Sequence, residues 1–214
     1  MSCAQCKGIE KEFDTQVAKG DLETYRRKGV SKTTRILIRE LKNRGVSGAT
    51  LLDIGGGVGA IQYELLKKGL ERAIHVDASS AYLQTAKNEA QRLGLDDRIN
   101  YFHGDYVALD ESIPDVDIVT LDRVICCYDD MHALVEKSSS KAKRYYALVY
   151  PRDTWWLKFL EGIFNFFNRL RKRSFRIFIH ANDEVEKILG EQGLERTYHR
   201  KNLIWQVALY TRSS

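Results

Sequence analysis

The sequence predicts an α/β fold: a doubly wound, seven-stranded sheet, mostly parallel, with helices on both faces and an antiparallel hairpin at its C-terminal end. Three observations carry this prediction. Between residues 49 and 150, short apolar runs alternate with amphipathic stretches, the pattern of strands joined by crossover helices. Glycines at 55, 56, 57 and 59 follow the first of those runs, where a strand must turn sharply into a helix. The last two runs, LERTYHRK and LIWQVALYTR, are separated by a turn too short for a parallel crossover, so they must pair antiparallel.

The elements follow in order. Residues 10–44 are polar and helical in pattern; within SKTTRILIRELKNRG, Ser31 is the expected N-cap and Gly45 the expected stop. ATLLDI reads as a buried first strand and AIQYELLKKG as the helix after the glycines. RAIHVD is the second strand, ending in Asp77, and SSAYLQTAKNEAQRLG a helix opened by a serine cap. RINYFHGD, DVDIVTLD and RYYALVY are the third to fifth strands, with a helix around Met131–Lys143 before the fifth, which Pro151 ends. A helix over about Asn182–Gln192 precedes the terminal hairpin. The chain reads as a single domain, 1–214, with residues 1–48 as an N-terminal helical extension.

After Pro151 the alternation breaks. In WWLKFLEGIFNFFNRLRKRSFR, residues Trp156, Phe159, Ile163, Phe167 and Leu170 recur at helical spacing, with Lys158, Glu161 and Asn165 on another face. Arg169, Arg171, Lys172, Arg173 and Arg176 follow. Residues 152–176 are expected to form a lid-like insertion. For 153–173 three readings stand: a cover over an apolar substrate, a helix in peripheral contact with a membrane, or a stripe packed on the domain.

Composition narrows the classes. With 43% hydrophobic and 29% charged residues the chain is an ordinary globular one. It has no apolar run long enough to span a membrane, and MSCAQCKGIEKEFD lacks the apolar stretch of a signal peptide. A cytoplasmic location is the default expectation, with reduced cysteines. The net charge of +5 is too small to argue for nucleic acid, and no stacking platform or reading helix is evident. Cys3-x-x-Cys6 has zinc-ligand spacing that Cys126 and Cys127 could complete, but adjacent cysteines rarely both ligate one metal, and no metal is expected.

The glycine stretch admits three readings. A phosphate loop needs Lys and Ser/Thr where Ala60 and Ile61 stand. A dinucleotide site fits Gly55-x-Gly57-x-x-Ala60 with Asp77 about twenty residues on. Against it stand Asp53 just before the glycines, a glycine at every second position from 55 to 59, and Gly104-Asp105 at the end of the third strand. Three carboxylates around one crevice repel a diphosphate and suit an ammonium or sulfonium.

In Asp53-x-Gly55-x-Gly57-x-Gly59, then Asp77, then Gly104-Asp105, the chain resembles the class I S-adenosylmethionine-dependent methyltransferases, over about residues 49–150 and in the terminal hairpin. The resemblance implies a Rossmann-like fold whose last strand lies between the fifth and sixth, S-adenosyl-L-methionine as cofactor and S-adenosyl-L-homocysteine as product. It implies that Gly55, Gly57 and Gly59 let the backbone approach the methionine end, that Asp53 meets its ammonium, that Asp77 takes the ribose hydroxyls, and that Asp105 and Tyr106 face adenine. Ala78, Gly104 and Leu121 complete the expected cofactor set.

The same resemblance places Asp122 to Tyr128, after the fourth strand, beside the transferring methyl. Val124-Ile125-Cys126-Cys127-Tyr128 and Phe178-Ile179-His180 also resemble stretches of magnesium-protoporphyrin O-methyltransferases, although a histidine stands in that family where Cys127 stands here. A carboxylate acceptor needs no base, whereas a hydroxyl, amine or ring carbon can need one. Tyr128, His132 and Asp122 are the catalytic candidates, with His103 and Tyr25 as further bases. No Asn-Pro-Pro-Tyr follows the fourth strand; LDRV does, which argues against a DNA or protein-glutamine acceptor. The expected activity is methyl transfer to a small, apolar or aromatic molecule, O-methylation favoured. A nicotinamide oxidoreductase and a non-catalytic cofactor-binding interaction protein are the alternatives.

Overall fold

The computed structural model describes residues 4–213, with side chains from Lys7 onward. Three helices open the chain: α1 (Ala4–Glu12), α2 (Thr15–Lys28) and α3 (Lys32–Asn43). The helical segment read over 10–44 contains, besides the break expected at Ser31, a second one at Asp14. Asp14 caps α2 by accepting from the Gln16 and Val17 amides, and Gly29, at φ 72°, ends that helix. Ser31 caps α3 as expected, accepting from Thr34 N. The wound part follows as β1 (Thr50–Ile54), α4 (Ala60–Leu66), β2 (Arg72–Asp77), α5 (Ser80–Leu93), β3 (Ile99–His103), α6 (Tyr106–Leu109), β4 (Val116–Asp122), α7 (Met131–Ser140) and β5 (Ala142–Pro151). Helices α8 (Trp155–Leu170) and α9 (Asn182–Glu191) and strands β6 (Leu194–Lys201) and β7 (Trp205–Arg212) complete it.

The seven strands form one sheet in the order β3-β2-β1-β4-β5-β7-β6. All pairings from β3 to β5 are parallel, and β7 is antiparallel to both β5 and β6. The hairpin is as expected, with the last strand inserted between the fifth and sixth. Strand β5 starts two residues earlier than expected and includes Pro151, which faces Trp205 at the end of its ladder. A proline needs no amide there. Because the chain is already extended at Ala142, α7 stops at Ser140 rather than Lys143.

Each sheet face has its own apolar layer. One packs β-strand residues such as Leu52, Val119 and Leu148 against Leu134 of α7 and Ile188 of α9. The other packs Leu51, Ile118 and Val149 against Leu37 and Leu41 of α3 and Leu65 of α4. Helices on both faces make the strand order reverse between β1 and β4, and at such a point the carboxyl ends of the strands open a crevice.

Candidate functional site

The turn after β1 is built on alternating left-handed glycines, Gly55 (φ 61°), Gly57 (φ 56°) and Gly59 (φ 83°), a conformation costly for any residue with a Cβ. Close packing adds a second requirement at Gly55 and Gly59. A Cβ on Gly55 would lie 2.5 Å from Val124 Cγ2, and one on Gly59 2.5 Å from the Tyr63 hydroxyl. A Cβ on Gly57 would meet only the Tyr82 ring, at 3.8 Å. At Gly55 and Gly59 protein side chains alone leave no room for a Cβ. Gly56, which the spacing did not single out, lies over the buried His75 ring, where a Cβ would be 2.7 Å from Cε1. Burial pushes the His75 pKa down to about 3, so the ring is neutral.

Two carboxylates flank this turn. Asp77 Oδ2 accepts from Gly57 N at 2.9 Å and Oδ1 from Ser79 N at 2.8 Å, so one side chain ties the glycine turn to the start of α5. Burial raises its pKa to about 6 despite those donors. Asp53 Oδ1 accepts from Thr120 Oγ1 at 2.7 Å, while its Oδ2 is buried without a hydrogen-bond partner among the described residues. Burial, with Asp122 and Asp77 nearby, pushes Asp53 up to about 7. A buried acid with an orphan oxygen is a place for a cation. The ammonium of an amino acid fits it, and the paired oxygens of Asp77 fit a diol.

The loop after β4 supplies the facing wall. Arg123 holds a left-handed backbone (φ 63°), uncommon for a side-chain-bearing residue and frequent at functional sites. Its guanidinium donates to Ser31 Oγ and Thr33 Oγ1 and lies 5.3 Å over the Trp205 ring, clasping α3 to β7. Thr34 donates to Asp122 Oδ2, and burial raises the Asp122 pKa. The Tyr128 hydroxyl donates to Asp105 Oδ1 at 2.8 Å, an oxygen that also caps α6 through Val107 N. His180 Nε2 lies 2.9 Å from Tyr128 O and 3.2 Å from Ile125 O, and Phe178 N donates to Cys126 O, so residues 178–180 buttress this loop.

These walls enclose a cavity of about 580 Å³, the size of a small-molecule site. It is lined by Asp53, Gly55, Gly57, Asp77, Ala78, Gly104, Asp105, Tyr106, Asp122 and Tyr128 of the expected set. Three expected residues stand outside it. Gly59 packs on Tyr63, Leu121 is fully buried in the sheet core, and His132 is exposed on α7 beside Glu136 at 3.6 Å. His103 is exposed beside Glu10 and Ala78 O. Tyr106 contributes its ring, but its hydroxyl turns to Asp110 and Lys137 O. Tyr25 lines the cavity, and burial pushes its hydroxyl up to about 12, which holds the proton on it.

The cover comes from an unexpected place. Ile9, Phe13, Asp21, Tyr25, Val30 and Thr34 of the N-terminal extension line the cavity, and no residue of α8 does. The aromatic stripe, for which a lid was one of three readings, faces largely outward: Phe159, Ile163, Phe167 and Leu170 are exposed, as is Trp155, whereas Trp156 is half-buried and Leu157 and Asn168 are buried. Helical spacing located the stripe but could not tell which face meets the protein. Arg123 lay within the expected Asp122–Tyr128 stretch but without a role of its own, because nothing local marks a positive φ, and the wall from the N-terminal helices was missed because their contacts are non-local.

The lining carries Asp21, Asp53, Asp77, Asp105 and Asp122 against Arg123 as its cation, with neither Lys nor His. A diphosphate would be repelled there and a sulfonium attracted. Cys126 and Cys127 also line it, with their sulfurs 3.9 Å apart. Among the described residues no three His, Cys, Asp or Glu side chains are grouped to hold a metal; Cys3, and the side chain of Cys6, lie outside the described residues.

The comparisons with known proteins agree with this geometry. A family model described as "Methyltransferase domain" matches residues 51–148. The ribosomal protein L11 methyltransferase of Alteromonas mediterranea is 33% identical over 91 residues, 42% of this chain and 30% of that protein. The match thus spans under a third of that relative's length. The magnesium protoporphyrin IX methyltransferase of Synechocystis PCC 6803, solved with bound S-adenosylhomocysteine, superposes with a TM-score of 0.76 at 19% identity, over 98% of this chain and all of that one. The geranyl diphosphate C-methyltransferase of Streptomyces coelicolor A3(2), solved with Mg2+, geranyl diphosphate and S-adenosylhomocysteine, gives 0.66 at 15% identity over 84% of this chain and 77% of that one. The chain thus has the class I S-adenosylmethionine-dependent methyltransferase fold, and residues 51–148 match a methyltransferase-domain model.

Proposed function

We propose that this chain transfers the methyl group of S-adenosyl-L-methionine to a small, apolar or aromatic acceptor in the cytoplasm, with oxygen as the favoured acceptor atom. The observation that carries the reading is Asp53: a buried carboxylate with an orphan oxygen, at the end of β1, inside a cavity with five aspartates and one arginine. Bound there, the cofactor supplies an electrophilic methyl on a sulfonium leaving group, so transfer is an in-line displacement governed by proximity.

The chain's residues then bind and orient. Asp53 receives the amino-acid ammonium, Asp77 the ribose hydroxyls, and Gly104 and Asp105 border the base. Phe13, Val30, Ile177 and Trp205 give the remaining wall an apolar surface, which favours an apolar acceptor and excludes water. Tyr128 orients a hydroxyl acceptor, and a proton leaving it passes through Tyr128 to Asp105, the carboxylate already within hydrogen-bond distance. Asp122, held by Thr34, is the second candidate for that proton. An acceptor carboxylate needs neither. The acceptor named for one structural neighbour, a magnesium porphyrin, is a largely apolar macrocycle bearing carboxyl groups. In this reading Arg123, the cation of the lining, meets such a carboxylate, whereas the five aspartates disfavour a diphosphate acceptor.

Calorimetry with S-adenosylmethionine, S-adenosylhomocysteine and NADH tests the cofactor. Binding of the first two and not the third is expected; binding of NADH alone would return the oxidoreductase alternative. Mass spectrometry of porphyrin, phenolic and isoprenoid acceptors incubated with protein and S-adenosylmethionine then reads a gain of one methyl. Tight cofactor binding with no transfer to any class would favour a non-catalytic role.

A further inference from the structure

The outer face of α8 is not explained by methyl transfer. Of the exposed large apolar side chains, eight lie on this helix, among them Trp155 at 81% and Leu170 at 70% exposure, and two more, Leu203 and Ile204, lie in the β6–β7 turn. Arg152, just before the helix, donates to Ile204 O and Asn202 O, so the turn and the start of α8 form one patch. The helix is held to the protein by its polar side. Asn165 donates to Ile177 O at 2.7 Å and accepts from Ile177 N at 3.0 Å, and the buried Asn168 donates to Phe175 O at 3.1 Å. Its amphipathicity is thus inverted: amides inward, aromatics outward. That arrangement is costly in water and favourable against an apolar phase.

Charge selects the phase. Residues 152–176 carry seven Lys and Arg against Asp153 and Glu161, a net +5, which equals the formal +5 of the entire chain. The rest of the molecule is therefore balanced, and the excess cation sits beside the exposed aromatics; Arg169, Arg171 and Lys172 are themselves exposed. Sixteen residues make a helix about 24 Å long, and no helix among the described residues is long and apolar enough to cross a membrane.

We propose that α8 and the β6–β7 turn form an in-plane docking surface for an anionic lipid bilayer. The aromatics enter the headgroup–acyl boundary, and Arg169, Arg171 and Lys172 meet lipid phosphates. The surface adjoins the cavity: Phe164 of α8 contacts Phe175, and Phe175 contacts Phe13 in the cavity wall, at ring distances of 6.5 and 5.6 Å. Docking does not depend on the methyltransfer reading.

Flotation of the purified chain with vesicles of phosphatidylcholine alone, or with about a third phosphatidylglycerol, tests this at low and high salt. The wild type should float with the anionic vesicles, less at high salt. Trp155→Ser/Phe159→Ser/Phe166→Ser should lower bound protein about tenfold or more, and Arg169→Glu/Arg171→Glu/Lys172→Glu should abolish the anionic preference. Circular dichroism and light scattering accompany each variant. Quenching of wild-type tryptophan emission by brominated lipid reads insertion without any substitution. Absence of flotation and of quenching with both vesicles would overturn the proposal, as would a serine variant that floats like the wild type. A wild-type dimer that the serine variant dissociates, without vesicle binding, would assign the face to a second copy of the chain instead.

Discussion

The Tyr128 hydroxyl donates to Asp105 Oδ1 at 2.8 Å, joining the loop after β4 to the loop after β3 on opposite sides of the strand-order reversal. The pair lies in the cavity wall. It orders a phenol that would otherwise rotate with its loop, and it gives a departing proton a carboxylate to reach.

Tyr128→Phe keeps the ring and removes the donor. The expected stability loss is about 1 kcal/mol, because Asp105 keeps its bond to Val107 N. With a hydroxyl acceptor kcat should fall about 10²-fold, cofactor affinity staying within a few-fold; with a carboxylate acceptor kcat should hardly change. Steady-state kinetics with both acceptor types reads the difference. A full-rate variant on a hydroxyl acceptor would remove Tyr128 from proton transfer and leave Asp122.

Cofactor affinity should rise with pH. Asp53 is pushed up to about 7 and Asp77 to about 6 by burial, so in the cofactor-free protein Asp53 is largely protonated below about pH 7. A cationic ligand favours the ionised form, so binding below that pH releases a proton, with a slope approaching about one decade in affinity per pH unit. The stability of the cofactor-free protein has the opposite sign. Both folded-state pKa values lie above the ordinary carboxylate value, so the contribution of these two groups to stability is fullest at low pH and is lost as pH rises through about 6 to 7, whereas the buried neutral His75 contributes with the opposite sign. Calorimetry in buffers of different ionisation enthalpy measures the released proton. In Asp53→Asn the slope should flatten; an unchanged slope would place the ammonium elsewhere.

Gly55→Ala should destabilise the fold by two separable effects. The positive φ costs on the order of 1–2 kcal/mol, and the clash with Val124 Cγ2 on the order of 1–3 kcal/mol more. Val124→Ala in the same chain relieves only the second. A urea-denaturation double-mutant cycle should therefore show partial rescue; additivity would mean Val124 moves aside freely.

Asp77→Ala removes the bonds to Gly57 N and Ser79 N as well as a ligand for the ribose. Weaker S-adenosylhomocysteine binding is expected, by the charge-assisted hydrogen bonds lost, each about 1.5–3 kcal/mol. Unchanged affinity in the folded variant would separate the turn's architecture from ligand recognition.

Because the cavity cover comes from α1–α3 and not from α8, Phe13→Ala should weaken cofactor or acceptor binding. Ser substitutions at Phe159 and Phe166, on the outer face of α8, should leave cofactor affinity unchanged. Equal losses in calorimetry from both sets would mean that α8 supports the cavity through Phe164 and Phe175.

What the chain's local pattern determined is the sheet and its ligand edge. Strand and helix periods are written in neighbouring residues, and positive-φ glycines and strand-end aspartates recur at short spacing, so Asp53, Gly55, Gly57, Asp77 and Gly104-Asp105 could be located from sequence alone. Their reasons were less legible: Gly55 and Gly59 answer to Val124 and Tyr63, the first of these a contact between distant segments. Only the tertiary structure decided that the N-terminal helices roof the cavity, that His132 points to solvent, that Arg123 clasps α3 to β7, and that α8 faces outward. An apolar stripe states that a helix has a hydrophobic face; which surface that face meets depends on where Asn165 and Asn168 find carbonyls to bond, and those partners are set by packing between segments rather than by the helix itself.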